Sequence, residues 1–381
     1  MGRALFLFLF LTLALAAPAA RAESLRVASY DVELSQKGAG QLLALLLKDP
    51  AAKPDPKLEG ALAAILEARP DVLLLSGFDH DLRGRALDAF AARLRSAGLD
   101  YPHRFAEPVN AGEPSGLDLD GDTLPMGWGD AQGWGRFPGN GGMAILSRWP
   151  LDTAAARTFR RLRWSSLPGA ELPRDATGGL WPSREAAEAR RLSSRSHWDV
   201  PVILGGGRRL HLLAAGPTPP LYDGAERSNQ LRNRDELRLW ARYLDGVPLT
   251  DDSGVTAPAP DAPVVVLGDL GIDPFDGAGL RDGIAGLLAH RRLQDPKPES
   301  RGAAAAATLG RTARHRGPAA LDTADLDDSK GPGNLRMDYV LPDARLTVTG
   351  AGVVWPEDGP LARKLAAGPA HRLVWVDISL P

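Results

Sequence analysis

The chain has 381 residues, 44% hydrophobic and 24% charged, an ordinary globular composition that excludes a disordered or fibrous protein. Its 45 Lys and Arg against 47 Asp and Glu leave a formal charge of −2, so no global field draws it towards nucleic acid. Cysteine is absent, which excludes disulfides and thiolate metal sites.

Residues 1–22 read as a secretory signal peptide: Arg3 is a positive start, 4–16 an apolar stretch, and Ala20-Arg21-Ala22 a small-x-small cleavage site. Export to the periplasm or the medium is therefore expected, with Glu23 as the first mature residue. A retained N-terminal anchor is the rival reading, although the stretch is short for a transmembrane helix and no later one approaches that length.

Residues 25–34 (LRVASYDVEL) alternate like a strand, with Asp31 near its end. Residues 42–47 and 58–68 have helical spacing, and Pro70 stops the second helix. The apolar run 71–75 predicts a buried strand leading into Ser76-Gly77-Phe78-Asp79-His80-Asp81, and 87–97 returns to helix. This alternation predicts a layered sheet with helices outside.

Residues 105–140 lack periodicity and predict a long functional or flexible loop. Asp118, Asp120 and Asp122 stand at alternate positions, which can wrap a hard cation, but Gly129 stands where a calcium loop needs its last acid. A polar turn is the competing reading. Residues 142–148 are a strand. The segment 157–198 is rich in Arg and carries Trp164, Trp181 and Trp198. Such a pattern can grip a nucleic-acid strand, yet Arg stems covering core-edge tryptophans are the expected arrangement. A hairpin follows at 200–204 and 209–215. Next, 225–244 is an amphipathic helix burying Leu231, Leu237, Trp240 and Leu244, with Arg232, Arg234, Arg238 and Arg242 on a solvated face.

In 263–277 (PVVVLGDLGIDPFDG), the apolar residues 264–267 predict a strand buried on both faces. It delivers Asp269 to a sheet edge, with Asp273 and Asp276 on the loop beyond. A helix at 281–290 and an exposed low-complexity loop at 297–334 come next. Strands at 336–341, 346–354 and 371–378 close one α/β (α+β) domain over 23–381, read as two facing sheets with outer helices.

The stretches RVASYDV, PDVLLLSGFD, GMAILSR, HLLAAGPTP, VVVLGDL, RMDYVLP and AHRLVWVDI occur in this order across 25–378. Together they resemble the endonuclease/exonuclease/phosphatase family, specifically its exported bacterial branch. The resemblance implies a four-layered α/β sandwich with the active site at one end of the paired sheets. It also implies phosphoester hydrolysis with Mg²⁺ or Mn²⁺ in an acidic cradle, assisted by a His that an Asp orients. Asp269 matches the acid that positions water or metal, Asp338 the orienting acid, and His371 the final His.

Five positions depart from the pattern. The first-strand Asn is Asp31, the metal-binding Glu falls on Gly77, a second His on Gly216, an Asn on Gly271, and an Asp on Ala370. Asp31, Glu33, Asp79 and Asp81 are near enough in sequence to compensate. The resemblance thus leaves two readings. One is a silent or very slow member with a degenerate metal site and no required cofactor. The other is an active Mg²⁺- or Mn²⁺-dependent phosphodiesterase or phosphatase, with Asp31 and Asp269 holding the ion beside the Asp338–His371 dyad. A phosphorylated small molecule or nucleic acid is the expected partner, while the substrate and the oligomeric state stay open. Apart from the resemblance, the favoured reading is structural: Asp338 as a strand-end acid paired with Arg336 or Arg372, and His371 as a satisfied core histidine.

Overall fold

The computed structural model describes residues 24–49, 54–308 and 310–379; the expected signal peptide at 1–22 lies outside them. The first elements are β1 (Ser24–Asp31), α1 (Gln41–Leu46), α2 (Pro56–Ala68), β2 (Val72–Phe78), α3 (Arg85–Ser96), β3 (His103–Phe105) and β4 (Gly142–Ser147). Next come β5 (Arg157–Thr158), α4 (Arg184–Ala189), β6 (His197–Ile203), β7 (Arg209–Ala215), α5 (Ser228–Leu244), β8 (Leu249–Thr250) and β9 (Thr256–Ala257). The last are β10 (Val264–Asp269), α6 (Asp282–Leu288), α7 (Arg301–Ala306), β11 (Asp338–Pro342), β12 (Thr347–Val353), α8 (Gly359–Ala366) and β13 (Val374–Ser379).

Local sequence explains the best-formed helix. In α2, Leu58, Ala61, Ile65 and Ala68 recur at helical spacing and are buried. Pro56 opens it where no intrahelical N–H is needed, and Asp55 caps it by accepting from Leu58 N at 3.0 Å. Replacing Asp55 with Ala is expected to cost about 1 kcal/mol, read as a lower midpoint of urea unfolding.

Two mixed sheets carry the fold. One runs β12-β13-β1-β2-β4-β3 and the other β11-β10-β7-β6-β5. In each, a central parallel pair (β1 with β2, β7 with β10) has antiparallel neighbours on both sides. Alternation splits each central strand between two cores. Val27 of β1 and Val265 and Leu267 of β10 face each other's sheets, while Ala28, Val264 and Val266 face outwards. Phe105 meets Trp198 edge-on between the sheets, with ring centroids 5.2 Å apart. Helices α1, α2, α3 and α8 cover the first sheet, and α5 and α6 the second. The chain is thus the four-layered sandwich that the sequence predicts. Among the described residues no helix is long and apolar enough to cross a membrane.

Three expectations need correction. The strand expected at 200–204 is β6, which starts three residues earlier and takes in His197, Trp198 and Asp199. The segment 297–334 is not simply exposed: Ser300 caps α7, and Thr323, Ala324 and Asn334 are buried because Ala324 bridges to both Leu335 and His371. In α5, which begins at Ser228, Arg232 and Arg234 are buried rather than solvated. Loops from the preceding segment cover that face and offer it carbonyl oxygens.

Candidate functional site

The strand directions decide where chemistry can gather. β1, β2, β7 and β10 finish at one end of the sandwich, with Asp31, Gly77, Gly216 and Asp269 at or beside their last residues. Their antiparallel neighbours β4, β6, β11 and β13 begin there, bringing Met143, Arg195, Asp338 and His371 to the same end. Asp269 and Asp338 are direct cross-strand partners.

His371 Nδ1 lies 2.8 Å from Asp338 Oδ2, so Asp338 pairs with this histidine and not with Arg336 or Arg372. Thr323 donates to the same carboxylate at 3.0 Å and accepts from Asp338 N at 2.9 Å, which fixes the acid. Burial opposes charge on His371, but the Asp338 and Asp269 carboxylates outweigh it and raise its pKa well above 6.5. Asp269 is pushed up to about 7, first by burial and then by Asp338 and Asp31, against the pull of His371 and Arg195. Its Oδ1 accepts from Gly271 N at 3.0 Å.

Of the four compensating acids, Asp31 alone turns into this end. Glu33 accepts from Ala370 N at 2.9 Å and pairs with Lys57. Asp79 is spent on the N–H groups of Gln36 and Gly141 and on Asn140. Asp81 starts α3 by accepting from Arg85 N and Ala86 N. Asp31 Oδ1 accepts from Glu33 N at 2.9 Å and fills the space over Gly77, where a Cβ would lie only 2.1 Å from it. Gly77 also has φ +64°, a left-handed backbone that resists any side chain.

Sequence reasoning missed Arg195. Its guanidinium lies 3.5 Å from Asp31 Oδ2 and 3.8 Å from Asp269 Oδ2. It enters through the space at Gly216, where a Cβ would fall 2.7 Å from Arg195 Cδ. The available signal was positional: two residues before a strand antiparallel to β7 must reach the edge that holds Gly216.

Helix α5 ties these strand ends together. Glu236 accepts from Ser194 N at 2.6 Å and from Thr218 N at 2.8 Å. Asn233 donates to Thr218 O and Leu270 O. Arg232 donates to the carbonyls of Gln132, Arg191, Leu192 and Ser193. His197 Nε2 donates to Glu236 O at 2.9 Å, and burial pushes its pKa down to about 4, so it is a neutral core histidine.

A divalent ion needs carboxylate oxygens free to take it. Asp338 Oδ2 is committed to His371, Asp31 and Asp269 share a guanidinium, and position 77 has no side chain. Asp269, Asp338 and His371 do bring ligand atoms within 4.8 Å of one another. His371 Nδ1 is taken up by Asp338, which leaves only its Nε2. Asp338 Oδ1 is buried without a partner, and Asp31 and Asp269 face Arg195, so an ion here would have to displace that guanidinium. Elsewhere, Asp118 and Asp120 gather with Asp130 instead of Asp122. Asp122 is turned back on Leu124 N. The buried tryptophans Trp164 and Trp198 agree with the core reading of the Arg-rich segment.

A sequence profile described as the Endonuclease/Exonuclease/phosphatase family matches residues 30–368. No curated protein matches the chain. Among solved structures, it is similar to an endonuclease/exonuclease/phosphatase from Beutenbergia cavernae, with 19% identity and a TM-score of 0.50 over 94% of this chain and 72% of that one. A family protein from Leptotrichia buccalis is similar at 11% identity and a TM-score of 0.50, over 93% of this chain and 100% of that one.

Proposed function

Starting from a chain that belongs to the endonuclease/exonuclease/phosphatase family, we propose that it is an exported member with a degenerate metal site. It keeps the phosphoester cleft as a binding surface and is silent or very slow as a hydrolase. The observation that carries this reading is the pair of glycines at 77 and 216, whose space is taken by Asp31 and by the Arg195 guanidinium. The Asp338–His371 dyad persists at 2.8 Å, so an oriented histidine still faces the cleft and can donate to a phosphate oxygen. It lacks the Lewis acid that would activate water beside it. The ligand class is a phosphorylated small molecule or nucleic acid. Arg3, the apolar stretch 4–16 and Ala20-Arg21-Ala22 support export.

The test is turnover of phosphodiester and phosphomonoester panels by the mature chain, in Mn²⁺ and in EDTA, beside His371→Ala. No metal-dependent turnover above that variant is expected. Loss of a positioned acid or base lowers a working enzyme by about 10²–10⁴-fold. Metal-dependent turnover that His371→Ala lowers to that extent would overturn the reading in favour of an active enzyme with Asp31 and Asp269 as ligands.

A further inference from the structure

We propose that Arg195 is the resident cation of this cleft, standing in place of a divalent ion and keeping the acidic cradle metal-free. The inference rests on the degenerate-site reading and identifies what neutralises the site. Asp31 and Asp269 are the two carboxylates that an ion at the strand ends would need, and both face the Arg195 guanidinium, at 3.5 and 3.8 Å. These separations are ion-pair contacts beyond hydrogen-bond range. Nη1 is buried and has no hydrogen-bond partner, while the side chain as a whole keeps 22% of its surface exposed. The charge is therefore held at the cleft with donors unspent.

The backbone beneath Arg195 is fixed. Its carbonyl accepts from Asn110 N at 2.8 Å, and neighbouring Ser194 is bound to Gly216 O and Glu236. The guanidinium is thus aimed from a rigid base. Gly216 leaves its path open: a Cβ there would meet Cδ at 2.7 Å, Nη1 at 3.0 Å and Met143 Sδ at 3.3 Å. A guanidinium coordinates no water and repels a second cation. It can balance the cradle and meet a phosphate oxygen, but it cannot generate a hydroxide as a metal does.

The test is a Mn²⁺ titration followed by thermal unfolding and by the Mn²⁺ electron paramagnetic resonance signal. The proteins are the mature wild type, Arg195→Ala, Arg195→Gln, and each of these with Asp269→Asn. Wild type is expected to show no Mn²⁺ response that Asp269→Asn removes; any response at Asp118, Asp120 and Asp130 would survive that change. Both Arg195 variants are expected to gain a saturable rise in Tm, about 5 °C at a hundredfold excess over Kd. Adding Asp269→Asn should abolish the gain. Arg195→Gln keeps the stem and guards against a folding defect in Arg195→Ala. Folded Arg195 variants that are blind to Mn²⁺ would overturn the proposal, as would a wild-type response that Asp269→Asn removes. If wild type also lacks turnover, blindness in those variants refutes the role of Arg195 and leaves the degenerate-site reading standing.

Discussion

Replacing Arg232 with Met is expected to destabilise the protein by about 3–5 kcal/mol, the usual cost of removing one partner from a buried charged network. The helix that carries Arg232 looks surface-like in sequence, yet the guanidinium is only 3% exposed. Its donors reach four carbonyls, of Gln132, Arg191, Leu192 and Ser193. Removal takes this donor from all four, and only Ser193 O keeps a side-chain partner, Asn110 Nδ2 at 2.7 Å. It also strips Glu236 of the positive charge that opposes burial in setting its pKa. Urea unfolding would measure the loss. Adding Glu236→Gln should recover part of it, because an uncompensated buried charge is the larger component. A change within about 1 kcal/mol for Arg232→Met alone would sink this account of α5.

The second large effect is a pH-dependent gain. Asp269 has an ordinary value of 3.8 and a folded value of about 7. The native chain therefore holds this proton more tightly than the unfolded chain. The resulting stability is fully present below the ordinary value and is lost as pH rises through about 7. The loss is on the order of 4 kcal/mol. The raised pKa of His371 acts in the same direction: its contribution is full below 6.5 and is lost as pH rises through the folded value. Asp269→Asn should thus unfold at a higher temperature than wild type above about pH 8, and the advantage should vanish near about pH 4. Melting curves that run parallel across that range would contradict the burial of a reluctant carboxylate at position 269.

What was legible in the sequence was whatever one strand or one motif can express alone. Residues 264–267, apolar without alternation, announced a strand with two covered faces and placed Asp269 at its end. Asp338 and His371 were legible because each sits in its own short pattern, and they meet at 2.8 Å. Arg195 was not, because its meaning depends on Gly216, which lies on another strand, and on the antiparallel register that brings the two together. The arginines of α5 were misread for a related reason. Helical spacing tells which residues share a face, but not that loops 39 to 100 positions earlier in the chain will cover it. The run 297–334 had the composition of a loop, and its bridges from Ala324 to Leu335 and His371, with the bonds of Thr323 to Asp338, bury its middle.

The filled spaces at the two glycines also bear on whether the site can be rebuilt. A histidine introduced at position 216 alone would collide with Arg195 Cδ at 2.7 Å, and a glutamate at 77 alone with Asp31 Oδ1 at 2.1 Å, on a left-handed backbone. Removing Arg195 first would leave two carboxylates with neither cation. By the first two routes the incoming side chain meets an occupied space, and only removal of Arg195 opens the cradle to a cation in a single step. The arginine, more than either glycine, is therefore the position on which the occupant of the cradle turns.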